Sequence, residues 1–297
     1  MNIPEFPKFA RLTIEHRDEI TRITSKYPPY SDFNFSSLFS WDVNGTTSVS
    51  MLKGNLIIQL DDYITGEATY SLLGSNDVSN CFDDMRALTT TLKLVPETTV
   101  ANLDNYDRFE ITRDRDSYDY IFSIPEHASL LGKQYKGRRN KLHRLSRHYA
   151  ERIAVEPIDF KHTDTRDKLQ AIFSQWAEGK NRSSEEIKNE YSAIQRAVTY
   201  ANDLGLEGLF LRIDGEHIGF SIVEILSSGY GIYHFQKTLV DHQNLDAYLT
   251  NAQAMELAKK GVSLINWEQD LGIEGLRHLK TSYFPYDFLR KFEVKLS

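Results

Sequence analysis

Leu209-Phe210-Leu211-Arg212-Ile213-Asp214-Gly215-Glu216-His217-Ile218-Gly219-Phe220-Ser221-Ile222-Val223-Glu224-Ile225-Leu226-Ser227-Ser228-Gly229-Tyr230-Gly231-Ile232-Tyr233-His234-Phe235-Gln236-Lys237 reads as three strands joined by two tight turns. Branched and aromatic side chains fill the three runs, and Asp214-Gly215 and Ser227-Ser228-Gly229 are strong hairpin signals. Upstream, Ile153 to Ile158 reads as a strand. Leu169, Ile172, Phe173 and Trp176 then mark a helix by their i, i+3, i+4, i+7 spacing. Ser183 and Glu186 form a capping box for a second helix carrying Ile187, Tyr191, Ile194 and Val198, which Gly205 stops. Downstream, a helix buries Leu245, Tyr248, Leu249, Ala252 and Met255, a strand covers Val262 to Ile265, and a last strand covers Phe288 to Val294.

The first half of the chain repeats this order without visible sequence identity. Phe9 to Ile14 alternates as a strand, and Glu15 to Lys26 forms a short helix. After Pro28-Pro29, Ser31 or Asp32 caps a helix whose buried stripe is Phe35, Leu38 and Phe39. A meander follows, with a hairpin of Val49 to Leu52 and Leu56 to Leu60 and a third strand at Thr69 to Leu73. Next come a helix from Asp77 to about Leu92 and strands at Val100 to Leu103 and Tyr118 to Ser123. The expected fold class is α+β, as two tandem similar domains, 1–125 and 126–297, each a mixed, mostly antiparallel sheet flanked by helices.

With 40% hydrophobic and 26% charged residues over 297 positions, the composition is that of an ordinary globular protein. The single cysteine, Cys81, excludes an intramolecular disulfide, and no Cys/His spacing suits zinc, so no metal site is expected. The start of the chain has neither a basic nor an apolar leader, and nowhere do eighteen apolar residues run together. These features predict a cytoplasmic protein without an integral membrane segment. The net charge of −7 requires any affinity for polyanions to come from a local patch.

Such a patch lies between the halves. Lys133, Lys136, Arg138, Arg139, Lys141, Arg144 and Arg147 occur without an acid among them, and Leu142, Leu145 and Tyr149 give a narrow apolar stripe. The spacing predicts a connector helix over 133–149 with its basic sides outward, meeting either a polyanion or the excess acids of its own protein. Base-specific recognition, and hence DNA reading, has no support.

A second polar cluster follows the strand at Val262 to Ile265. Glu268 and Asp270 precede Gly272 and Gly275, and Arg277 and Lys280 follow, three apart and so on one helical face. Tyr283, Phe284 and Pro285 add apolar bulk beside Lys280. The acids can serve as helix-start acceptors or as chemical groups, and a strand end is where an α/β sheet presents ligand groups.

Several motifs resemble a known family. Tyr30-Ser31-Asp32-Phe33-Asn34-Phe35, Asp119-Tyr120-Ile121-Phe122, Gly132-Lys133-Gln134-Tyr135, Arg138-Arg139-Asn140 and Glu268-Gln269-Asp270-Leu271-Gly272-Ile273-Glu274-Gly275-Leu276-Arg277 resemble a bacterial family of unassigned function, DUF2156. That family is similar to the soluble C-terminal domain of phosphatidylglycerol lysyltransferase. The resemblance implies two tandem GNAT-like domains, as in Fem-type transferases that move amino acids from aminoacyl-tRNA. It also implies that Lys280, in Leu279-Lys280-x-x-Tyr283 with Pro285 following, faces the ester under attack. The membrane-spanning part of the lysyltransferase has no counterpart in this sequence.

The expected function is therefore acyl or aminoacyl transfer to an amine or hydroxyl acceptor, a small molecule or a lipid headgroup, from a phosphate-bearing donor such as aminoacyl-tRNA. Lys280 would stabilise the oxyanion and Glu268 or Asp270 would orient the acceptor or act as base. Arg277, Tyr283, Glu224, His234 and Lys237 are candidate substrate contacts; Lys133, Lys136, Arg138, Arg139 and Lys141 are candidate polyanion contacts. No cofactor is expected. Acetyl-CoA is disfavoured because the best register of its pyrophosphate loop, Gln243-Asn244-Leu245-Asp246-Ala247-Tyr248, puts Asp246 and Tyr248 at the glycine positions. A non-catalytic polyanion-binding protein and an ordinary acetyltransferase are the alternatives.

Overall fold

The structure, a computed structural model, describes residues 2–61, 66–178, 184–239 and 244–296. It forms an α+β chain with two compact units, Met1–Ile121 together with Glu268–Ser297, and Phe122–Trp267. The chain thus leaves the first unit within the strand Asp119–Ser123 and re-enters it at Glu268. This corrects the expected assignment of 126–297 to one domain. The returning strands Asp287–Leu289 and Lys291–Leu296 pair with Asp119 to Ile121, Thr91–Pro96 and Phe109–Arg113, all in the first unit.

Each unit runs strand, helix, helix, three-strand antiparallel meander, helix, strand, the repeated order expected from the sequence. In the second unit these are Ile153–Pro157, Thr165–Glu178, Ser184–Thr199, Leu206–Ile213, Glu216–Ile225, Tyr230–Thr238, Leu245–Lys259 and Leu264–Asn266. The last strand pairs in parallel with the meander over only Tyr230 to Ile232. In the first unit the elements are Ala10–Arg11, Arg17–Thr24, Phe35–Trp41, Ser48–Leu52, Asn55–Asp61, Ala68–Leu73, Val78–Met85 and Thr91–Pro96. Here the final strand joins a separate three-stranded sheet with Lys291–Leu296 at its centre. Ile57, Leu72, Phe82, Val95, Phe109 and Val294 share one core in this unit. Leu145, Tyr149, Leu211, Ile213, Leu245 and Leu249 share one in the other.

Several elements differ from expectation. The helix from Asp77 ends at Met85, not near Leu92, because Thr89-Thr90-Thr91 is a β-branched run that crowds a helix and feeds the strand Thr91–Pro96 instead. Val100 to Leu103 is not a strand: Pro96 closes the preceding one, and Glu97–Val100 makes a helical turn in which the Ala101 amide donates to the Glu97 carbonyl at 2.9 Å. Asn34, rather than Ser31 or Asp32, caps the helix Phe35–Trp41, its side chain accepting from the Ser37 amide at 2.8 Å. Met255 is 47% exposed rather than inward, although Leu245 and Leu249 beside it are buried. The expected last strand breaks at Arg290 and serves two sheets. Ser183 of the expected capping box lies outside the described residues.

Candidate active site

Glu268, Asp270, Arg277 and Lys280 lie in the first unit, with the helix Glu274–Thr281 carrying the two bases. Asp270 is fully buried and accepts five hydrogen bonds. Arg277 donates to it from Nε at 2.9 Å and from Nη2 at 2.7 Å, Tyr120 Oη at 2.6 Å, Arg115 Nη1 at 3.2 Å and the Gly272 amide at 2.9 Å. Burial opposes its charge, but Arg277, Tyr120 and the Gly272 amide more than offset this and hold its carboxyl at about 2. A carboxylate has about four lone-pair sites, so these donors saturate it. Asp270 is therefore an anchor, with no capacity left to take a proton as base. Arg277 is committed too, since its Nη2 also donates to Asp116 at 2.6 Å.

Gly272 sits in the left-handed region at φ 71°, where a Cβ would meet the Asp116 carboxylate at 2.8 Å. Its lack of a side chain serves this internal packing rather than substrate approach. Glu268 and Leu271 flank the turn with φ of 58° and 54°. Such conformations cost roughly 1 kcal/mol or more each for non-glycine residues. At Glu268 the strained backbone is held because its carbonyl accepts from the Tyr120 amide at 3.2 Å and its carboxylate accepts from Ser37 Oγ at 2.9 Å.

Lys280 points into this turn. It is 8% exposed, its Nζ donates to the Gln269 carbonyl and stands 5.6 Å from the Tyr120 ring centroid. Burial lowers its pKa to about 8, with Glu268, Asp119 and Asp270 pulling back upward. Tyr283 is buried, whereas Phe284 is 45% exposed, so Phe284 does not supply the expected apolar cover.

Gln269 links this lysine to a second buried cluster that sequence reasoning missed. Its side-chain amide donates to Asp32, which pairs with Lys291. Lys291 Nζ donates to Asp119 at 2.8 Å and to Ser31 Oγ at 3.3 Å, and Asp119 accepts from the Ser31 amide at 2.8 Å and Ser31 Oγ at 2.6 Å. Burial raises the Asp32 pKa, and the Asp119 charge adds to the rise. Lys291 stays above its ordinary value despite burial because Asp119 and Asp32 surround it. Ser31, Asp32, Asp119, Tyr120, Gln269, Asp270 and Arg277 all belong to the quoted motifs, and these two networks join them. Lys291 and Arg115 gave no signal, because a lysine in a strand and an arginine in a loop read as solvent-facing.

The remaining candidates belong to the second unit. His234 Nε2 is 3.4 Å from Glu224, and Lys237 Nζ is 2.7 Å from Glu190 and 4.3 Å from the Trp176 ring centroid. All three candidates are largely buried. On the basic helix, which spans Lys136–Tyr149, Lys136 and Lys141 are exposed, as is Lys133 ahead of it; Arg138 and Arg139 are half-buried, and Arg139 donates to the carbonyls of Leu130 and Gly132. Among the described residues no group of three or more His, Cys, Asp or Glu could hold a metal ion, and no helix is long and apolar enough to cross a membrane.

The family described as phosphatidylglycerol lysyltransferase, C-terminal, matches residues 24–295. The chain belongs to this family. It is similar to a conserved protein of unknown function from Bacteroides thetaiotaomicron at 26% identity and a TM-score of 0.84, covering 97% of this chain and 99% of that one. A DUF2156 C-terminal domain from Agrobacterium fabrum is similar at 13% identity and 0.64, covering 95% and 92%. L-PGS from Bacillus licheniformis is similar at 11% identity and 0.62, covering 100% and 94%. No curated protein matches the sequence. Membership makes this a transferase-family protein, and the likenesses at 13% and 11% identity speak to its fold alone.

Proposed function

We propose that the protein transfers an aminoacyl or acyl group from an activated ester, with aminoacyl-tRNA as the donor class, to an amine or hydroxyl acceptor such as a lipid headgroup. The observation that carries this reading is Lys280, a buried amine that donates to the Gln269 carbonyl beside a turn whose backbone is strained at Glu268 and Leu271, where burial lowers its pKa to about 8. At pH 7 such a group is roughly nine-tenths protonated. Its ammonium would stabilise the oxyanion that forms when the acceptor oxygen or nitrogen attacks the ester carbonyl. The new bond forms at that carbon, the bond to the donor's ribose oxygen breaks, and the acceptor's proton passes to the leaving oxygen. Glu268, partly exposed and accepting from Ser37 Oγ, is the carboxylate left to carry that proton; Asp270 and Arg277 position the turn.

Two features support excluding acetyl-CoA. Asp246 occupies the first turn of the helix Leu245–Lys259, where its carboxylate already complements the helix dipole and repels pyrophosphate. Where the parallel pairing ends at Ile232 and Asn266, the rings of Phe122, His127 and Tyr233 pack around Trp267 at 4.3, 5.4 and 5.7 Å, filling the gap a pantetheine arm would need. The reading is tested by incubating the protein with a radiolabelled aminoacyl-tRNA pool and a panel of amine and hydroxyl acceptors. Acceptor-dependent loss of label from RNA supports it; loss only at the rate of spontaneous hydrolysis rejects it.

A further inference from the structure

Glu268 to Ile273 belongs to no strand or helix, yet it holds a carbonyl against the buried ammonium of Lys280. The backbone is strained at Glu268 and Leu271, on either side of Gln269 and Asp270. Peptides between two such residues keep their orientation only where the surroundings over-determine it. Asp270 fixes the far end of the turn through Arg277, Arg115, Tyr120 and the Gly272 amide. At the near end Gln269 reaches two ways: its carbonyl accepts from Lys280 Nζ, and its side-chain amide donates to Asp32. Asp32 belongs to a cluster built as a fixed post. Lys291, fully buried at the first position of the strand Lys291–Leu296, pairs with both Asp119 and Asp32. Asp119, also fully buried, accepts from the amide and Oγ of Ser31, so the turn Ser31–Phe33 that carries Asp32 is pinned as well. Displacing any of these buried ions would leave its counter-charge uncompensated, which makes the cluster stiff. Asp32, Asp119, Gln269, Lys280 and Lys291 all lie in the first unit.

We propose that Gln269 is a positioning residue for Lys280, and that the Asp32–Lys291–Asp119 cluster acts on that lysine through it. The inference rests on the reading of Lys280 as the oxyanion-stabilising group, and it names what keeps that group charged and aimed. The charged groups facing Lys280 are Glu268 and Asp270 in the turn and Asp119 and Lys291 on the strands. Arg277, on its own helix, is bound to Asp270 and Asp116. The three acids favour the ammonium, whereas burial and the Lys291 charge oppose it. The Gln269 carbonyl adds to the favourable side, because an ionised donor makes a stronger hydrogen bond than a neutral one. Cutting the side-chain tether to Asp32 lets the strained peptide relax, and Lys280 loses this acceptor. A hydrogen bond to a charged group is worth about one pH unit or more in its titration, so the ammonium should then be lost at lower pH.

The test is NMR titration of the Lys280 amine in protein carrying isotope-labelled lysine, its signal assigned by loss in Lys280→Met. Gln269→Met keeps the stem length and removes the amide at a half-buried position, so the fold should survive. The amine should titrate at about 8 in wild type and at about 7 in Gln269→Met. The alkaline limb of single-turnover transfer should move down by the same interval. Asp32→Ala should give a similar fall, and adding it to Gln269→Met should give little more, since both cut one path. Circular dichroism melting checks that each variant is folded; should Asp32→Ala unfold the chain, Gln269→Met decides alone. A Lys280 midpoint in folded Gln269→Met within about 0.3 of wild type overturns the inference and leaves the transfer reading standing. Additive shifts from the two substitutions overturn it too, because Asp32 would then act through space. The full shift without any transfer by wild type upholds the positioning role and rejects the transfer reading.

Discussion

Lys280→Met separates the electrostatic role of Lys280 from its packing. The substitution keeps an unbranched stem of similar length and removes a charge that the fold buries. The amine titrates near 10.5 in the unfolded chain and at about 8 in the native one. Each pH unit of depression is worth about 1.4 kcal/mol, so holding the ammonium inside the protein costs about 3 kcal/mol at neutral pH. Loss of the bond to the Gln269 carbonyl costs the variant about 1 kcal/mol in return. The net expectation is a gain of about 2 kcal/mol for Lys280→Met at pH 7. Its pH dependence is distinctive. Between pH 8 and 10.5 the unfolded wild type binds more protons than the native state, so wild-type stability climbs with pH, and the variant lacks this climb. The advantage of the variant should therefore shrink above pH 8 and vanish by about pH 10.5, where both stems are neutral. Paired urea titrations at pH 7 and pH 10 read this difference directly. A variant less stable than wild type at pH 7, by a margin unchanged at pH 10, would refute the reasoning and make Lys280 an ion-pair strut.

Turnover should fall as pH rises through about 8, since that is where the oxyanion-stabilising ammonium is lost; a rate flat from pH 7 to 9.5 would remove Lys280⁺ from the chemistry. Asp270→Asn should lose about 2–4 kcal/mol of stability at pH 7, because the Asp270 carboxyl is depressed to about 2 and anchors Arg277 and Arg115. That contribution is present above the unfolded value of 3.8 and disappears as pH falls through about 2, so acid melts of variant and wild type should converge there. Arg277→Ala should unfold the first unit more easily and show strong coupling to Asp270→Asn in a double-mutant cycle; unaltered stability with only a raised KM would assign Arg277 to substrate phosphate instead. Calorimetry should detect no micromolar binding of acetyl-CoA, and such binding would show that Asp246 does not guard the pyrophosphate position.

The architecture was legible wherever local chemistry decided it. Asp214-Gly215 and Ser227-Ser228-Gly229 sit at hairpin turns, and Asp214, Gly215 and Gly229 take the positive φ their types favour. The apolar stripe Leu142, Leu145, Tyr149 faces inward as its spacing requires. What stayed hidden depends on partners distant in sequence. Nothing local to Lys291 announces that Asp119 and Asp32 await it 172 and more residues away, and without them a strand lysine is solvent-facing. Glu268 to Pro285 was legible as a polar centre, but its assignment to the first unit rests on strands that pair back with Asp119 to Ile121 and Thr91–Pro96. The separate roles of Asp270 and Lys280 were equally invisible, because they arise from counts of donors around each group. Five donors saturate the carboxylate, while burial beside the Gln269 carbonyl and the Tyr120 ring takes the amine out of water.

The central claim, that Lys280 is the electrostatic centre of an aminoacyl-transfer site, is tested most directly by single-turnover transfer from radiolabelled lysyl-tRNA to phosphatidylglycerol vesicles, comparing wild type with Lys280→Met. Removal of one oxyanion-stabilising group typically raises the barrier by roughly 2.7–4 kcal/mol, so the variant should form labelled lipid about 100- to 1,000-fold more slowly while remaining folded. Wild-type transfer that survives intact in folded Lys280→Met would contradict the account.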